Sequence, residues 1–112
     1  MDSMRQQKIN RVIQKELGIA FLREARTLFG GAMITVTKVH ITKDLAMAKI
    51  YLSIFASKDK HALLELIRQH GRELRYQLGQ KLHNQLRIIP ELQFFEDDSL
   101  DYIDNIDQLL KT

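Results

Sequence analysis

The stretch AMAKIYLSIFA, residues 46–56, alternates more strictly than any other part of the chain. Ala46, Ala48, Ile50, Leu52, Ile54 and Ala56 fall on one face; Met47, Lys49, Tyr51, Ser53 and Phe55 fall on the other. Successive strand side chains point to opposite faces, so this is a half-buried β-strand whose register is tightly held, because a slip of one residue would turn the apolar face to water. Such a strand needs a neighbour and a covering layer. The neighbour precedes it, in the β-branched run MITVTKVHIT at residues 33–42. There Ile34 and Val36 alternate in one phase and Val39 and Ile41 in the other, which a bulge near Thr37-Lys38 explains. Thr42-Lys43-Asp44-Leu45 makes the tight turn that joins the two strands as a hairpin.

The covering layer is helical. Residues 4–26 carry Ile9, Val12, Ile13, Leu17, Ala20, Phe21 and Leu22 at a 3.6-residue period, with Ser3 as N-cap and Gly30-Gly31 as punctuation. Helical spacing returns over residues 59–84, where Gly71 interrupts the middle. An interior glycine costs ~1 kcal/mol relative to alanine. Leu74, Leu78 and Leu82 carry the apolar stripe past it, so Gly71 reads as a kink and not as a stop. Pro90 ends any continuation. ELQFFE at residues 91–96 reads as a third strand with Leu92 and Phe94 inward, and Ser99 caps an acidic C-terminal helix at about 99–111. The expected fold is α+β, ordered helix, strand, strand, kinked helix, strand, short helix, with helices on one face of a three-stranded sheet. Residues 1–112 are expected to form a single domain.

The chain has no cysteine, which excludes disulfides, thiolate metal sites and cysteine nucleophiles. The start is polar and no apolar run reaches membrane-spanning length, so a cytoplasmic protein without membrane contact is expected. His40, His61, His70 and His83 share no ligand spacing, and no nucleophile elbow, P-loop or dinucleotide fingerprint occurs. Asp98, Asp101, Asp104 and Asp107 lack the glycine and closing glutamate of a calcium loop and read as a solvated face. No enzyme activity, metal, cofactor or small-molecule substrate is expected.

Charge says more. Residues 1–89 hold 16 lysines and arginines against 7 acids, whereas residues 90–112 hold one lysine against 7 acids. A basic body suggests a polyanionic partner. Arg68, Arg72 and Arg75 share one face of the kinked helix, Lys81 and Arg87 extend it, and Lys8, Arg11 and Lys15 line a face of the first helix. Arginine suits phosphate because its planar fork bonds two oxygens at once. The alternatives are a merely solubilising surface and an adaptor whose basic face meets an acidic partner protein. Neither the aromatic motifs of RNA-recognition modules nor the G-x-x-G clamp of a KH domain is present, since glycines 18, 30, 31, 71 and 79 never fall three apart.

Three stretches resemble the bacterial ribosome-binding factor A family: TKDLAMAKIYLS (42–53), LRIIPELQFFEDDS (86–99) and KINRVIQKEL (8–17). The second matches the family segment through Arg87, Pro90, Glu91, Leu92, Phe94, Asp97 and Ser99. The likeness spans nearly the whole chain. It implies a type II KH-like fold in which a helix–kink–helix with Ala-x-Gly replaces the clamp; Gln69-His70-Gly71 occupy those positions, with Gln69 at the alanine. Thr27-Leu28-Phe29 stand where the family often has Asp-Pro-Arg, which lets the first helix run on, and the basic C-terminal extension of some members is missing. The resemblance further implies binding to the immature small ribosomal subunit through its 16S rRNA, help with maturation of the rRNA 5′ end, support of growth in the cold, and no catalysis. A monomer is expected.

Overall fold

Ser3 opens the first helix with a reciprocal cap. In the computed structural model, which describes residues 3–55 and 57–97, the Gln6 N–H donates to Ser3 Oγ at 3.1 Å and the Ser3 N–H donates to Gln6 Oε1 at 3.0 Å. Helix α1 then runs Met4–Leu28 and buries Ile9, Ile13, Leu17, Ala20 and Phe21. Leu22, which periodicity groups with that stripe, is 81% exposed. Each residue turns the helix by about 100°, and Leu22 falls one step beyond Phe21, away from the sheet. Past Phe29, Gly30 and Gly31 take left-handed φ values of 62° and 79°, which glycine adopts without a Cβ clash. The Gly31 N–H donates to the Ala25 carbonyl at 2.8 Å.

Strands β1 (Met33–Ile41) and β2 (Met47–Phe55) pair antiparallel. Val36 faces Leu52 and Lys38 faces Tyr51, so Thr37 is the extra residue of a bulge. That residue restores the phase, and Ile34, Val36, Val39 and Ile41 are all buried. In the turn, Leu45 has φ 61°. The Thr42 hydroxyl donates to Asp44 Oδ1 at 2.6 Å, and the same oxygen accepts the Ala46 N–H at 3.1 Å. Together these hold the Asp44 carboxyl below its ordinary pKa, the Thr42 hydroxyl contributing most.

The helix expected over 59–84 is two helices, α2 (Lys60–Gln69) and α3 (Gly71–Leu82), with His70 between them. Asp59 caps α2 by accepting the Ala62 N–H at 3.0 Å. They carry the chain over to β3 (Glu91–Glu96), which pairs parallel with β2, Ala48 opposite Leu92 and Ile50 opposite Phe94. The strand order is β1-β2-β3. A parallel neighbour needs such a crossover, and helices are its usual form. Ile13, Leu17, Phe21, Ile67, Leu74 and Leu78 meet Ile34, Ile50, Leu52 and Phe94 in one core. The acidic helix expected at 99–111 lies outside the described residues.

Side chains satisfy backbone groups on both margins of the sheet. Thr42 and Met47 form the hairpin's closing hydrogen bond at 2.9 Å, so the polar groups of Ile41 point away from β2. Gln6 Nε2 donates to the Ile41 carbonyl at 3.0 Å, and the Ile41 N–H donates to Asn10 Oδ1 at 2.9 Å. One turn further on, Gln14 Nε2 donates to the Val36 carbonyl beside the bulge at 2.9 Å. On the far margin, Arg68 Nη2 donates to the Phe94 carbonyl at 2.8 Å.

Candidate nucleic-acid interface

The kink positions the arginines. The His70 N–H reaches the carbonyls of Leu66 and Ile67, both at 3.1 Å, while the Leu74 N–H keeps a helical bond to His70 O at 3.0 Å. The helix is thus tightened and redirected without being fully broken. The His70 ring stands edge-on to buried Phe29, centroids 5.9 Å apart, and fastens the bend to the end of α1. Gln69 is exposed, so a side chain larger than alanine meets solvent there. An added Cβ on Gly71 would lie 3.9 Å from the Phe94 ring, an ordinary contact. Neither crowding nor a left-handed φ therefore demands glycine at the kink.

The three arginines that share a helix face differ in occupation. Arg68 spans Phe94 O and Glu65, the latter at 2.6 Å. Arg75 donates from Nη2 to Ile89 O at 2.6 Å and from Nε to Pro90 O at 3.1 Å, tying the approach to β3 onto α3. All three arginines are exposed, but Arg68 and Arg75 also spend donors inside the protein, because unpaired carbonyls at the strand margin attract the nearest strong donors. Arg72 alone of the three has no hydrogen-bond or ion-pair partner among the described residues and is exposed.

Arg72 and Arg75 line an open groove of about 640 Å³ with Tyr76, Gly79, Gln80, His83 and Ile89. The other candidate cations lie elsewhere. Lys8 and Arg11 line a second concavity on the outer face of α1 with Met4, Arg5 and Gln7. Lys15 is exposed further along that helix. Lys81 sits in the seam between α1 and α3, beside Glu16 and Arg23. Arg87 shares the hairpin-turn end of the molecule with Arg5 and Asp44. Helical periodicity brought Arg72 and Arg75 together correctly but had no means of separating Lys81 and Arg87 from them.

Sequence reasoning passed over Arg5 and His83 as contributors, although Arg5 lies one turn from Lys8 and would have been found on the same helical wheel. It also missed a second aromatic and basic surface on the sheet. Tyr51 and Phe95, opposite each other in the β2–β3 register, stack with centroids 5.5 Å apart, and Lys38 Nζ lies 6.0 Å from the Tyr51 ring centre. Among the described residues no cluster of three metal-ligating side chains occurs, and no helix is long and apolar enough to cross a membrane.

Comparison with known proteins bears on the family and the fold. A family model described as Ribosome-binding factor A matches residues 5–110. A protein of that name from Cytophaga hutchinsonii is 47% identical over 98% of this chain and 83% of its own length. The one from Flavobacterium johnsoniae is 42% identical over 98% and 85%. Among solved structures, the crystal structure of ribosome-binding factor A from Thermus thermophilus superposes with a TM-score of 0.69 at 18% identity, covering 81% of this chain and 94% of that one. A ribosome-binding factor A model from the same organism, fitted into a map of its complex with the 30S subunit, gives a TM-score of 0.60 at 22% identity, covering 88% and 97%.

Proposed function

The chain belongs to the ribosome-binding factor A family, and from that premise we propose that it binds the immature small ribosomal subunit in the cytoplasm through 16S rRNA. On this reading it favours late maturation of the subunit, including the rRNA 5′ end, and supports growth in the cold without catalysing any step. The observation that carries the reading is the family match over residues 5–110. The charge distribution supports it physically. Arg72 stands exposed beside an aromatic-lined groove, and Lys8, Arg11 and Lys15 are exposed along α1, where phosphate contacts need no displaced internal partner. Arg68 and Arg75 serve the RNA while they brace β3, and Lys81 and Arg87 extend the field to either side. A rigid KH-like wedge acts by differential affinity: binding one RNA arrangement ~3 kcal/mol better than another shifts their ratio by more than a hundredfold.

The test is sedimentation of cell extract through a sucrose gradient, with and without ribonuclease. The protein is expected to travel with free small subunits and to be released by nuclease. Co-migration with translating ribosomes, or a complex that survives nuclease as one with an acidic protein would, overturns the reading. Arg72→Glu combined with Lys8→Glu and Arg11→Glu is expected to remove the protein from the small-subunit peak while its melting temperature stays near that of the wild type.

A further inference from the structure

Resting on that reading and deepening it, we propose that the groove beside α3 is a pocket for one unpaired nucleotide of the bound RNA. Its base stacks on Tyr76 over a floor made by Gly79 and Ile89, and its phosphate is met by Arg72. Four features converge on this assignment. The groove, about 640 Å³, lies within the size range of small-ligand sites. Tyr76 is a large aromatic residue left 64% exposed on a helix whose other large apolar residues are buried. Gly79 supplies no side chain, which leaves the middle of the groove open, and an added Cβ would press on Ile89 Cγ1 at 3.2 Å. Ile89 is in turn held in place by the bonds from Arg75 to the Ile89 and Pro90 carbonyls.

The polar members suit a nucleotide better than a peptide or an apolar ligand. No acidic residue lines the groove, and the nearest acid on α3, Glu73, is turned to the other flank, where Gln77 Nε2 donates to it at 3.2 Å. His83 Nδ1–H donates to the Gln80 carbonyl at 2.9 Å, which leaves Nε2 for the ligand. The Gln80 amide both donates and accepts. Such groups can satisfy the edge of a base, while aromatic stacking tolerates any base and so contributes affinity before sequence preference. A base inside a duplex is covered on both faces, so the ligand is a splayed, single-stranded nucleotide.

The experiment compares purified full-length protein binding a short single-stranded oligoribonucleotide with an abasic oligomer of the same length and phosphate count. Wild type is expected to bind the base-bearing strand about tenfold more tightly, the scale of one stacked base. Tyr76→Ala is expected to bring the ratio close to one while leaving affinity for the abasic strand unchanged. Tyr76→Phe, which keeps the ring, retains the preference. An unchanged ratio in Tyr76→Ala overturns the pocket, as does an equal loss for both strands. Displacement by an acidic peptide with no preference for bases overturns it in favour of a protein ligand. Co-sedimentation of wild type with small subunits is read separately, so its absence removes the premise and a lost base preference removes only the pocket.

Discussion

Arg72 and Arg75 lie three residues apart on one helix and do different work. Arg75 is bound to two carbonyls at the approach to β3, so Arg75→Met is expected to cost about 1 kcal/mol in urea denaturation, the scale of hydrogen bonds lost at a partly wet site. Arg72 has no such partner among the described residues. Arg72→Gln should leave denaturation unchanged and lower the salt slope of RNA binding by about 1. Gly71 carries a further expectation. Its added Cβ would make only an ordinary contact, so Gly71→Ala should leave stability unchanged or raise it by up to ~1 kcal/mol. A marked loss would show that the kink needs glycine for reasons the packing does not contain. Asp44 gives the fold a pH signature. Because its carboxyl is held below the ordinary value of 3.8, mainly by the Thr42 hydroxyl, its contribution is present above that pH and is lost as the pH falls below it. Asp44→Asn should flatten that acid limb in a melting-temperature series.

The elements were largely legible because their signals are local. The alternation of residues 46–56, the phase change at Thr37, the Ser3 cap and the kink before Gly71 each depend on neighbours within a few positions. What escaped depended on contacts across the sheet. Gln6, Asn10 and Gln14 carry no motif of their own, yet four-residue spacing lays them along β1, where they satisfy backbone groups that β2 does not reach. The bonds from exposed Arg68 and Arg75 to carbonyls of β3 and its approach were not legible, because nothing local announces those carbonyls. Leu22 was placed with the core because an apolar residue one step beyond a buried stripe looks like part of it. The Gln6→Leu variant tests the α1 row: it removes half of the capping box and leaves the Ile41 carbonyl without its donor at a buried position. The expected loss is about 1–3 kcal/mol, with faster hydrogen exchange at the first turn of α1.

At the scale of the molecule, cations are spread over the outer face of α1, the groove beside α3, the seam between those helices and the hairpin-turn end. A large RNA surface can engage several of these together, and each phosphate neutralised adds ~0.7–0.9 to the slope of log affinity against log salt. Subunit binding that engages two of these surfaces should therefore show a slope steeper than that of the oligonucleotide in the α3 groove, measured by titration across a salt series. The side-chain bonds along the sheet margins bear on how such a protein changes over generations. Since Gln6, Asn10, Gln14 and Arg68 satisfy backbone groups of β1 and β3 from within, binding falls largely to other side chains that stand on the scaffold. Exposed positions such as Arg72 and Tyr76 can then be exchanged one at a time as the RNA drifts, with little penalty to the frame. Arg68 and Arg75 are the exceptions: each braces β3 or its approach as well as facing the RNA, so neither can be retuned for one duty without disturbing the other.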